Sequence, residues 1–284
     1  MKHMGAAPRG VALIAVLWLV AAMSLITAGI VQSVRSEIRA VGLQRQSVIA
    51  GALADAAILL ALQNLNTRLQ EPLATVQSIP VQFEGSQYKV VVEPLNGLID
   101  INRASPLLLA DLYRYAGGLN ADFAQALAQA TVDTRQRKNA KGTAQGFEAV
   151  EDLFSVPQMT YGLYARLVGL VTTDLKDSSG RVNPLAAPLS VLQVLAGGDK
   201  ARAFDLAAKR DLNPNVMDTS FLKPEHIAMA STRSLRIKVN IGLLDGAEVD
   251  KEWRVYWGMD PRSGLPWRVL GSLKSVKQSP QVGN

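Results

Sequence analysis

The chain has 284 residues, room for about two domains, and its 48% hydrophobic and 19% charged residues exclude a disordered chain. It has no cysteine, which excludes disulfide frameworks, thiolate metal sites and cysteine nucleophiles, and with only His3 and His226 it has no basis for a histidine triad. The net charge of +6 falls to 28 basic against 24 acidic residues once Lys2 and Arg9 are set aside, too mild a bias to indicate nucleic acid.

The N-terminus carries the strongest signal. Val11 to Val31 is an uncharged apolar run of 21 residues. As a helix it is about 30 Å long, the thickness of a bilayer's hydrocarbon core. Lys2 and Arg9 precede it, in a decapeptide that ends Pro8-Arg9-Gly10. Three kinds of segment fit, a plain uncleaved signal anchor and two that are processed. A secretory signal would be cut behind the run, near Thr27-Ala28-Gly29, leaving a start near Ile30. A prepilin-type signal would be cut ahead of it, between Gly10 and Val11. The sequence beyond favours the prepilin type. No proline occurs between Pro8 and Pro72, and the stretch is rich in good helix formers. Ile38, Val41, Ile49, Leu53, Ala56 and Leu60 recur at helical steps. One helix is therefore expected from residue 11 to about 70, membrane-spanning first and amphipathic after. The positive-inside count is ambiguous, and the short leader is taken as the cytoplasmic end.

Residues 79–101 read as strands, with a turn at Gly85-Ser86. Residues 235–271 do the same, with turns at Asp245-Gly246 and Pro261 to Gly264. Trp253, Trp257 and Trp267 fall there and read as half-buried sheet residues rather than as a sugar-stacking site. Between the two strand regions the pattern is helical. Ser105-Pro106 and Asn120 are helix starts, and Gly117-Gly118 is a stop. The Asn102 to Pro106 entry and its glycine stop return as Asn183 to Pro188 and Gly197-Gly198, a weak repeat over about 102–174 and 183–230.

IDINRASPLLLADL and FEAVEDLFSVP resemble the helix-hairpin-helix family, as in membrane-anchored competence receptors that bind DNA. The second hairpin, Val156 to Thr160, lacks the glycine of that family. Residues 99–174 hold seven basic and eight acidic residues, so no duplex grip is expected.

Taken in order, Arg9-Gly10-Val11-Ala12-Leu13-Ile14, the long helix, the block opened by IDINRASP, its echo RVNPLAAP and the strand LRIKVNI resemble minor pseudopilin K of type II secretion systems. The resemblance implies an α+β, pilin-like fold. A long N-terminal helix packs on a small antiparallel sheet, with a large helical insertion of helix-hairpin-helix or SAM-like character. The expected division is a leader over 1–10, a membrane segment over 11–34, helix and first strands over 35–101, the insertion over 102–234 and the closing strands over 235–284. The family further implies prepilin peptidase acting at Arg9, Gly10 and Val11, with N-methylation of Val11. It implies an inner-membrane anchor with the C-terminal domain in the periplasm, and assembly with minor pseudopilins I and J. Counted from Val11, Ala15 stands where most pilin-like families have a glutamate, which marks a tip subunit.

Some family members bind calcium, but neither Asp174/Asp177 nor Asp245/Glu248/Asp250 matches a calcium loop. No catalytic motif occurs, so no enzyme activity is expected, and His226 is expected at the surface. The alternatives are a membrane-anchored DNA receptor and a secreted protein with a cleaved signal peptide.

Overall fold

The structure, a computed structural model, describes residues 9–68, 71–138, 142, 144–176, 178–213, 217–243 and 247–277. A single helix, α1 (Arg9–Arg68), runs through the apolar segment and on into the folded domain. Its C-terminal half lies across a five-stranded antiparallel sheet of order β1-β2-β5-β6-β7. The strands are β1 (Gln77–Phe83), β2 (Ser86–Pro94), β5 (Ser234–Gly242), β6 (Glu248–Tyr256) and β7 (Arg268–Lys277). The β1–β2 turn is Glu84-Gly85, one residue earlier than expected, with both residues in the left-handed region at φ 48° and 76°. That conformation suits a two-residue hairpin between twisted strands. The expected turn at Asp245-Gly246 lies outside the described residues.

The buried face of α1 is not the stripe that the periodicity picks out. Ala50, Ala54, Ala57, Ile58, Ala61, Leu62 and Leu65 meet the sheet, against Val90, Val92, Leu235, Ile237, Val239 and Val249. Four alanines let the helix axis approach closely, and the larger side chains between them fill the gaps. Each fully buried Ile or Leu there contributes about 1.5–3 kcal/mol. Ile38 (66% exposed), Val41 and Ile49 lie on another side in solvent, and Leu53, Ala56 and Leu60 are half-buried. An apolar count cannot distinguish an alanine that packs from one that merely tolerates water.

The helical block forms a second core between β2 and β5. A two-stranded parallel sheet, β3 (Ile99–Asp100) with β4 (Val171–Thr172), holds its two ends together. Around it stand α2 (Pro106–Asp111), α3 (Ala121–Arg135), a 3₁₀ turn (Val150–Ser155), α4 (Tyr161–Leu167), α5 (Leu189–Leu195) and α6 (Lys200–Leu212). The starts follow the sequence. The Ser105 side chain accepts from Leu108 N–H at 3.1 Å with Pro106 at the first position, and the Asn120 side chain accepts from Phe123 N–H at 2.8 Å. Helix α2 passes into a π-helical turn, Leu112–Ala116, before the glycine stop.

The block stands at the end of the sheet far from the apolar segment. Just past α1, Leu73 pairs with Thr232, the residue two before β5. At the other end, Lys274 of β7 donates to Ser47 O at 2.7 Å, some five turns back along α1.

Candidate assembly surfaces

Over residues 13–35 α1 is exposed on every side, with Leu13, Trp18 and Leu25 among its open residues. Among the described residues one helix is long and apolar enough to cross a membrane, within Leu13–Thr67, at a mean hydropathy of 2.4 over its most apolar stretch. The two hydroxyls within its apolar run are satisfied internally. Ser24 donates to Val20 O and Thr27 to Met23 O, both at 2.8 Å. A lipid environment requires that. Arg9, Gly10 and Val11 form the first turn of α1, and Ala15 follows one turn later, exposed. Residues 1–8 of the expected leader lie outside the described residues.

Further along, α1 is apolar on two sides. One side is taken by the sheet. The other keeps Ile38, Val41, Val48, Ile49 and Leu59 open and continues the apolar segment. Asp55 ties the helix to β6: it accepts from the Trp253 indole N–H at 3.0 Å and pairs with Lys251 at 3.1 Å. Sequence reading passed over Asp55. A lone acid in an alanine-rich stretch was the available signal. Trp253, Trp257 and Trp267 all pack on this sheet core.

The block is tied to the sheet by polar groups. Arg254 of β6 meets Asp174 at 2.7 Å, and Ser234 Oγ donates to Asp174 O at 3.0 Å. Asn183 Nδ2 donates to Ala74 O at 2.6 Å, and Asn96 Nδ2 to Ala230 O at 2.7 Å. In the other repeat, Asn102 both donates to Phe147 O at 2.9 Å and accepts from Phe147 N–H at 2.7 Å. The two asparagines that mark the repeat thus do the same work, bonding a distant backbone at the mouth of a helical unit. The two glycine stops also meet. A Cβ at Gly198 would lie 2.5 Å from Tyr115 Cδ1, beside the first stop. Buried Asp100 is held above its ordinary pKa chiefly by desolvation, against Arg135, which donates to Ile101 O and Ala104 O at 2.9 Å.

One expectation is corrected by this geometry. His226 is not at the surface but 1% exposed, because its segment adds a parallel bridge, Val182 with Ile227, to the block. Its Nδ1 lies 3.6 Å from an Asp111 carboxylate oxygen that Lys223 also reaches at 2.7 Å. Burial, then the Lys223 charge, push its pKa down. The second hairpin turns without a glycine. Gln158 adopts φ 70°, close to the 73° of Gly118 in the first.

The acidic clusters are engaged with cations and amides. Asp174 faces Arg254. Asp250 pairs with Lys277 at 2.6 Å and shares the Asn240 amide with Glu248. The Lys277 and Asn240 hydrogen bonds hold Asp250 below the usual carboxylate range. Asp177 and Asp245 lie outside the described residues. Among the described residues no three acidic or histidine side chains converge as a metal would require.

No protein-family model matches the sequence, and no curated protein matches it. A solved structure does. A chain of the GspK-GspI-GspJ complex from the enterotoxigenic Escherichia coli type 2 secretion system superposes over 82% of this chain and 98% of its own length, at a TM-score of 0.52 and 14% identity. The protein has the fold of that secretion-complex subunit. The pilin-like α+β architecture expected from the order of motifs is therefore present. It comprises a long N-terminal helix, an antiparallel sheet and a helical insertion.

Proposed function

We propose that this protein is a minor pseudopilin of the K type, placed at the tip of a type II secretion pseudopilus. The observation that carries this reading is the position of the helical block. It crowns the sheet at the end opposite the anchor, where a further subunit stacked above would have to sit. The second apolar side of α1 supplies the complementary surface, one that neighbouring helices below could cover. In this reading the chain is anchored once in the inner membrane with residues 35–284 in the periplasm. Prepilin peptidase removes residues 1–10 at Gly10, and the new N-terminal Val11 is methylated. Its partners are minor pseudopilins I and J at about one copy each. The role is structural, and the reading assigns it neither a catalytic step nor a cofactor.

The test is co-expression with minor pseudopilins I and J and cross-linking of the isolated filament. A complex with single copies, confined to one filament end, is the expected outcome. Repeated copies along the shaft would overturn the placement.

The left-handed Gln158 gives a DNA receptor its one structural argument, since the hairpin is formed without glycine. Charge opposes it, because phosphate neutralisation needs a basic surface that residues 99–174 do not supply. The expected result is no duplex binding by fluorescence anisotropy at about 150 mM salt. Salt-sensitive micromolar binding would restore that reading.

A further inference from the structure

The sheet has a second face, turned away from α1. Side chains alternate along a strand, so the neighbours of the residues packed on α1 point to this other face. The register sets them in rows across β2, β5, β6 and β7. Glu93, Arg236, Arg254 and Gly271 form the row beside the helical block, and Val91, Lys238, Glu252 and Leu273 form the next row away from it. Two hollows are cut into this face. One, of about 640 Å³, opens over the outer rows, from Lys89 and Val91 to Ser275 and Lys277. The other, of about 310 Å³, lies where the block meets the sheet, between Leu98, Val150 and Val168 on one side and Arg236 and Arg254 on the other. Glu252 and Leu273 line both, so the two adjoin as one groove along the strands.

Most charges in the groove are matched within the fold. Lys238 stands opposite Glu252 in register, where a cross-strand ion pair is expected. It turns instead to Glu93, at 3.0 Å, which also holds Arg236 at 2.7 Å. Arg254 is taken by Asp174 and Lys277 by Asp250. Lys89, at the far end, is open to water, whereas Glu252 is half-buried. Among the described residues Glu252 makes neither an ion pair nor a hydrogen bond. A partly dehydrated carboxylate without a partner is costly, and an incoming cation that donates hydrogen bonds relieves it.

We propose that this groove docks an extended segment of another protein, one that carries an apolar side chain and, two residues away, an arginine or lysine. Side chains two apart point to the same side of an extended chain. The apolar one fills the hollow against Leu98, Val150 and Val168. The basic one, a row further out, meets Glu252 with its stem on Leu273. A mainly apolar hollow with one placed charge is the composition that fixes orientation and specificity. An acidic segment or a nucleic-acid strand would set a like charge against Glu252. The groove makes no use of the open side of α1, so the proposal stands apart from the assembly reading.

The full chain in an uncharged detergent would be titrated by calorimetry with the acetylated and amidated peptide Leu-Thr-Arg-Thr-Gly. Saturable binding with a dissociation constant below about 1 mM is expected. Glu252→Gln weakens it about tenfold, the value of a hydrogen bond to a charged group. Glu252 makes no bond in the fold, so this variant melts as the parent does, which separates loss of the site from loss of fold. Glu248→Gln, on the same strand but outside both hollows, leaves binding unchanged. No binding at about 10 mM peptide would overturn the proposal, since weaker association is negligible on the affinity scale. So would equal binding by Glu252→Gln. Equal binding of Leu-Thr-Glu-Thr-Gly would overturn it by showing a groove indifferent to charge. Equal binding of Gly-Thr-Arg-Thr-Gly would do so by reducing it to a site for any cation.

Discussion

Leu73 and Thr232 exchange both of their backbone hydrogen bonds, N–H of Leu73 to O of Thr232 at 3.0 Å and the reverse at 2.8 Å. The pair seals the exit from α1 to the root of β5, where the helical block rejoins the sheet. The block leaves the sheet at the end of β2 and rejoins it at the start of β5, so it stands at this same end.

Leader removal is the first consequence to test. If a peptidase accepts only glycine ahead of Val11, Gly10→Val co-expressed with prepilin peptidase retains residues 1–10. Mass spectrometry of the purified chain reads the N-terminus directly. Normal maturation of this variant would remove the basis for a prepilin-type signal.

Ala15 tests the place in the filament. A carboxylate at that position offsets the N-terminal amine of a neighbouring subunit, and an unpaired charge within hydrocarbon is costly. A tip subunit has no neighbour above it to neutralise. Ala15→Glu is therefore expected to leave secretion largely intact, measured as exported substrate in the medium. A severe defect would argue for a shaft position.

Asp55 is expected to help set the register of α1 on the sheet. Asp55→Ala strips the Trp253 indole and Lys251 of their shared acceptor, at a cost of about 1–2 kcal/mol. For a domain of this size that lowers the melting temperature by roughly 2–8 °C. Asp55→Asn keeps an acceptor for the indole and recovers about half of the loss. Unchanged melting in both variants would show that alanine packing alone fixes the helix.

His226 gives the fold a pH dependence whose sign follows from burial. Its folded pKa lies below the ordinary 6.5, because desolvation and Lys223 outweigh Asp111 and Glu225. The unfolded chain therefore binds the proton more readily. The His226 contribution is fully present above about pH 6.5 and is lost as the pH falls below it. Asp100, with a raised pKa, acts oppositely. Between pH 7.5 and 5.5 the melting temperature should fall, and His226→Gln should flatten that slope whatever its effect on absolute stability. A slope unchanged by His226→Gln would show that the histidine is not the group responsible.

Much of the local structure is legible in the chain itself. A charge-free run of Val11 to Val31, a proline-free stretch as far as Pro72, and Ser105-Pro106 and Asn120 as helix starts each depend on neighbours in sequence. Physical chemistry at that range is read directly from residue order. The alternation from Leu235 to Ile241 likewise sets which side of β5 is buried.

Which side of α1 meets the sheet was not legible, because alanine is small enough to pack closely or to face water and its type does not say which. Nor was the burial of His226, which depends on a bridge between Val182 and Ile227 formed across an intervening helical pair. Gln158 carries no glycine signature, yet the hairpin imposes a glycine's conformation on it. Nothing in residue order marks Lys238 as the partner of Glu93 rather than of Glu252. The sequence determined the long apolar helix, the helix starts and the order of strand and helix regions, because these are settled over one or two turns of chain. The choice of packing face, the end at which the block sits and the unpaired state of Glu252 were decided by the tertiary structure, because each depends on the energy of contacts between segments far apart in the chain.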